Sequence, residues 1–123
     1  MSNNVYMAIG AHIGDVELTS GLVLANQSLK GDKIITVALT AGERGNPPHL
    51  SVSEYRKQKV KEANEFAESL NGEAIILDYK DGELPNDEKV RLEVANLIRN
   101  ISQKWFLRIG KTQCIKIILL LLK

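Results

Sequence analysis

The sequence predicts an α/β domain with a parallel sheet and the order β-α-β-α-β-α. Short apolar runs, the second rich in β-branched residues, alternate with longer segments of helical period. Glycine-containing turns separate them, and 123 residues suit one domain. Strands separated by helices imply parallel pairing with right-handed crossovers, and chemistry in such sheets collects at the carboxyl ends of the strands.

Val5–Ile9 is a short apolar run ending at Gly10, as expected of a buried strand. Val16 to Leu29 carries Leu18, Leu22, Ala25 and Leu29 at steps of three and four, which predicts a helix burying that face. Gly31-Asp32 stops it, and Ile34–Leu39 is the second strand. Thr40–Leu50 holds Gly42, Gly45, Pro47 and Pro48 and reads as a long loop, a feature that in compact domains tends to be functional. Ser51 and Glu54 form a capping box. The helix they open is expected to bury Tyr55, Val60, Ala63, Phe66, Ala67 and Leu70, ending at Asn71-Gly72. Ala74–Leu77 is the third strand and Asp81–Pro85 a turn. Asn86 can then cap a third helix whose face is Val90, Val94, Leu97, Ile98 and Ile101.

Composition narrows the function. Sixteen basic against fifteen acidic residues give a net charge of +1, which argues against a nucleic-acid partner held by bulk charge. A single cysteine excludes an internal disulfide framework. The longest apolar run, Ile117–Leu122, is far shorter than the roughly 20 residues of a membrane span. No basic segment followed by an apolar stretch opens the chain, so a cytoplasmic location is expected. Homo-oligomerisation is left open.

The segment between the first strand and first helix carries the strongest chemistry. His12 and Asp15 lie three apart in a strand-to-helix turn. An imidazole nitrogen and a carboxylate oxygen there can converge on one divalent cation, and the N/O pairing suits zinc or another first-row metal. The same spacing also fits a histidine bonded to the loop beside an aspartate capping the helix. Gly10, Gly14 and Gly21 do not make a G-x-G-x-x-G loop, and no acidic residue ends the second strand, so a dinucleotide site is not supported.

Ala11-His12-Ile13-Gly14-Asp15-Val16-Glu17 resembles the A-H-P-D-D-x-E signature of the PIG-L/LmbE-like zinc-dependent de-N-acetylases. Leu39–Gly45 resembles that family's T-x-G-E-x-G segment. Arg56, Glu62-Ala63, Ala67 and Leu70 resemble its R…E-A…A…L helix, and Leu77–Leu84 its D-x-x-D-G-x-L turn. The four segments fall in the family's order across about residues 4–101.

The resemblance implies a Rossmann-like sheet and hydrolysis of the N-acetyl group of a small N-acetylglucosamine-type conjugate. It implies zinc, or another divalent metal, with His12 and Asp15 as the first two ligands. It implies that Arg56 and Asp81 contact the sugar and that Glu17 braces the loop. Gly14 occupies the position of the family's general base, so no catalytic residue is assigned, and Ile13 replaces the signature proline. The third ligand would come from an H-x-x-D-H motif, which does not occur here. The remaining histidine, His49, reads as an exposed loop residue, and Cys114 as a small apolar one. A non-catalytic sugar- or metal-binding module of the same fold is the alternative.

The last stretch differs in texture. From Lys104 to the end the sequence holds five basic residues (Lys104, Arg108, Lys111, Lys116 and Lys123) and no acidic one, whereas residues 1–103 carry a net charge of −4. The sequence therefore divides into 1–101, the N-terminal part of a PIG-L/LmbE-like domain, and 102–123, an atypical basic, apolar tail. Read alone, the tail suits a strand or a basic helix. Set beside the family, it is expected not to be the native continuation, leaving a truncated and inactive or impaired chain.

Overall fold

A computed structural model describes residues 4–109 and 115–119. Strands β1 (Val5–His12), β2 (Lys33–Thr40), β3 (Glu73–Tyr79) and β4 (Ile115–Leu119) form one sheet in the order β3-β2-β1-β4. Every pairing is parallel, with Val5 opposite Lys33 and Ile115, and Ile35 opposite Glu73. Helices α1 (Asp15–Leu29), α2 (Val52–Ser69) and α3 (Glu88–Ile109) make the crossovers.

Strand alternation sorts the core into two layers. Val5, Met7, Ile9, Ile35 and Val37 face α3, which presents Val94, Leu97, Ile98 and Ile101. Ala8 and Ile34 face α1, and Ala38, Ala74 and Ile76 share a cluster with Val60 and Ala63 of α2. α1 and α2 therefore cover one face and α3 the other. The winding reverses between β1 and β4, and the crevice at such a switch point is where open α/β sheets bind ligands.

The capping box forms as expected. Ser51 Oγ accepts from Glu54 N at 3.2 Å, and Glu54 Oε2 accepts from Ser51 N at 2.9 Å. α3 is capped by Asp87 rather than Asn86: its Oδ1 accepts the Val90 N–H at 3.0 Å.

Two expectations need correction. β1 continues past Gly10 to His12, because His12 pairs with Thr40 and the Ile13 N–H reaches Thr40 O at 3.2 Å. The turn into α1 is thus only Ile13-Gly14. The buried face of α1 is Val16, Ser20 and Leu24, not the leucine stripe; Leu18 and Leu22 are 89% and 87% exposed. Ser20 is buried on that face, and Gly21 lies beside Phe66 of α2. α3 runs unbroken across residues 101 and 102, and β4 adds a strand beside β1. Of the two forms suited to the tail, residues 115–119 take the strand.

Candidate functional site

Three chain segments meet at the carboxyl edge of the sheet. The end of β1 brings His12, the start of α1 brings Asp15, and the turn after β3 brings Asp81. His12 Nδ1 lies 3.5 Å from Asp15 Oδ2, and His12 Nε2 lies 3.0 Å from Asp81 Oδ1. The ring is therefore held between two carboxylates. Asp15 is fixed in turn, because its Oδ2 accepts the His12 backbone N–H at 2.8 Å. The aspartate thus ties the turn and also faces the ring, while the N-cap of α1 is Gly14 rather than Asp15.

Gly14 is the N-cap of α1 with φ 109°, a backbone region that L side chains avoid. Glycine has no capping side chain, so only half a capping box exists here. Glu17 Oε2 accepts the Gly14 N–H at 2.8 Å, the bracing expected of it. Gly42 also takes positive φ, and a Cβ there would lie 3.4 Å from His12 Cβ, so glycine lets the second loop close over the ring.

Glu43 joins the remaining parts, and reading the sequence assigned it no role. It is only 4% exposed. Its Oε1 accepts the Asp81 N–H at 2.9 Å, and its Oε2 accepts from Arg56 Nη1 at 3.4 Å. The adjacent Arg44 N–H donates to Asp81 Oδ2 at 3.0 Å. Burial pushes the Glu43 carboxyl up. The N–H groups of Asp81 and of Glu43 itself, with the Arg56 charge, outweigh burial and the Asp81 charge, and hold it below the usual carboxylate range. The available signal was its place in the T-x-G-E-x-G segment, where an acid follows a tight glycine turn.

Arg56 extends from the first turns of α2 to Glu43, Leu77 O and Asp78. Arg56 and Asp81 line one open cleft of about 500 Å³ with Glu43, Arg44, Asp78 and Lys80. His12 does not line it, and meets it through Asp81. Both Asp81 oxygens have protein partners, which ties this residue to His12 as closely as to the cleft.

The donors fit part of a metal site. Bonds of about 2 Å in tetrahedral geometry place neighbouring ligand atoms roughly 3.3 Å apart, close to the 3.5 Å between His12 Nδ1 and Asp15 Oδ2. A ligating histidine usually gives its other ring N–H to a carboxylate, the place Asp81 takes at Nε2. No group of three His, Cys, Asp or Glu side chains able to hold a metal exists among the described residues. His49 is exposed in its loop, and Cys114 lies outside the described residues.

The sheet is doubly wound and parallel, with a carboxylate-bracketed histidine at its switch point, and the chain is an α/β domain. Residues 7–111 match the family profile described as PIG-L, GlcNAc-PI de-N-acetylase, and the chain belongs to this family. Comparison with the curated proteins finds no match. Among solved structures, N,N'-diacetylchitobiose deacetylase from Pyrococcus horikoshii is 28% identical with a TM-score of 0.75, over 80% of this chain and 38% of that one. A conserved protein from Thermus thermophilus is 25% identical with a TM-score of 0.61, over 78% of this chain and 41% of its own. The 4-carboxy-2-hydroxymuconate hydratase of Pseudomonas putida shares the fold, with 21% identity and a TM-score of 0.72 over 80% of this chain and 44% of that one. The chain thus spans less than half the length of each of these structures. No helix among the described residues is long and apolar enough to cross a membrane.

Proposed function

We propose that this chain carries the first half of the site of a zinc-dependent de-N-acetylase acting on a small N-acetylglucosamine-type conjugate. The observation that carries the proposal is the His12 ring held between Asp15 and Asp81 at the switch point, in a chain of the PIG-L family. The diacetylchitobiose deacetylase, with the same fold, supports an N-acetylated sugar as the substrate class. His12 Nδ1 and Asp15 Oδ2 would hold the metal. The third donor would come from outside the described residues; β4 runs beside β1, with Leu119 opposite Ile9.

If held there by His12 and Asp15, zinc would supply Lewis acidity toward a water and the amide carbonyl. Asp15 keeps its carboxylate on the ring through the His12 N–H, and Asp81 fixes which imidazole nitrogen carries the proton. Arg56, anchored to Glu43, offers its guanidinium to the sugar from the cleft wall. The family's base position is Gly14, so its carboxylate is absent here, and at a φ of 109° an L side chain would be strained. General-base assistance is worth typically 10²–10⁴-fold, so this chain is expected to bind substrate and metal better than it turns over.

That favours the second reading, a sugar- or metal-binding module. Equilibrium dialysis against zinc and an amine-release assay on an N-acetylglucosamine conjugate separate the two. The first reading expects weak zinc binding lost in His12→Ala, with release of free amine when a complete second half is supplied. Sugar binding without amine release, even then, would leave only the module. No zinc binding dependent on His12 would remove the metal site from both.

A further inference from the structure

α1 turns Leu18, Leu22 and Leu29 away from the rest of the protein. Val16, Ser20 and Leu24 are its buried residues, four apart along the helix. A helix turns about 100° per residue, so Leu18, Leu22, Ala25 and Leu29 fall in one sector of roughly 60°, about half a turn from that buried face. Leu18, Leu22 and Leu29 are 87–89% exposed. The stripe points away from the sheet.

We propose that this stripe is where two copies of the chain associate, α1 packed antiparallel on α1 of a second copy about a two-fold axis. The steps from Leu18 to Leu22, Ala25 and Leu29 are four, three and four, the alternation of a and d positions in a helix-pairing seam. That series reads the same in both directions. Setting Leu29 of one copy against Leu18 of the other therefore also sets Ala25 against Leu22, twice over. An isologous interface requires such self-complementarity, whereas a different partner does not.

Charge argues for the same occupant. No charged residue lies between Leu18 and Leu29, while Asp15 and Glu17 precede the stripe and Lys30 follows it. Antiparallel packing brings the acidic end of one α1 level with the basic end of the other; parallel packing brings like ends together. A lipid surface is a poorer match, because helices that lie on membranes carry lysines and arginines along the polar face.

The test is sedimentation equilibrium of the whole chain from micromolar to several hundred micromolar. The expected result is the mass of two chains at the upper end, falling to one on dilution. Leu22→Lys replaces an exposed side chain near the two-fold axis, so it should give a monomer of unchanged helix content. Orientation is read by disulfide trapping in a Cys114→Ser background. Leu18→Cys and Leu29→Cys chains should cross-link to each other when mixed and far more slowly when alone. A wild-type monomer throughout, a dimer that Leu22→Lys leaves intact, or Leu18→Cys linking to itself as fast as in the mixture would overturn the proposal. So would a monomer that floats with phosphatidylcholine vesicles, which would assign the stripe to lipid.

Discussion

Glu43→Gln isolates the residue that ties the three loops together. The side chain is 4% exposed, and its two oxygens serve the Asp81 N–H and the Arg56 guanidinium separately. Glutamine has the same shape but one acceptor oxygen. Whichever partner keeps that oxygen, the amide NH₂ then faces the other donor. Losing a charge-assisted bond and burying a donor against a donor costs about 1–3 kcal/mol. In a chain of this size that lowers the melting temperature by roughly 3–12 °C. The loss should depend on pH. The Glu43 carboxyl titrates below its ordinary value of 4.5 in the folded chain, so its stabilisation is fully present above that value and disappears as pH falls toward the folded one. Thermal melts followed by far-UV circular dichroism, from pH 7 down through about pH 4, should show the gap between wild type and variant closing. A variant as stable as wild type at neutral pH, or a gap that persists unchanged into acid, would refute the assignment of Glu43 as a buried, charged tie.

Leu24→Ala should cost about 2–5 kcal/mol in urea unfolding, because Leu24 is fully buried. Leu22→Ala in dilute solution should change stability by less than about 0.5 kcal/mol; equal losses would mean the face of α1 is misread. The Tyr79 hydroxyl donates to Glu93. That bond, then burial and the Glu93 and Asp87 charges, pushes its pKa up to about 12. The tyrosinate absorbance of wild type should therefore show a late step near that pH, absent from Tyr79→Phe. Asp81→Asn should weaken zinc binding about 10–100-fold if Asp81 orients His12. Arg56→Ala should leave zinc binding unchanged and weaken binding of the sugar conjugate, and the reverse pattern would exchange the two roles.

The strands were legible because buried parallel strands are runs of apolar residues, and Ile34–Leu39 can hardly be anything else. The third helix was legible down to its face, since Val90, Val94, Leu97, Ile98 and Ile101 are its buried or partly buried residues. α1 was not. Two stripes of helical period coexist in it, and the chain buries the one with a serine at its centre. Hydrophobicity alone favours the other. His12 and Asp15 could be read as a pair from their spacing. The third member of the cluster could not, because Asp81 reaches His12 only after β3 is laid beside β2. Glu43 was invisible for the same reason. An acid in a glycine-rich loop looks solvated until a backbone N–H and a guanidinium from distant segments are brought to it.

The place of β4 next to β1 also shapes how this chain reaches its fold. β1 is the first strand made, yet one of its two neighbours lies more than a hundred residues further along. Pairings of such high sequence separation form late, because a long loop must close before any contact rewards it. During synthesis β2 and β3 can dock while the other side of β1 stays open, presenting Met7, Ala8 and Ile9 along an unpaired strand edge. Such edges recruit other chains. Folding yield should therefore be set by how soon β4 closes that edge rather than by the stability of the finished sheet.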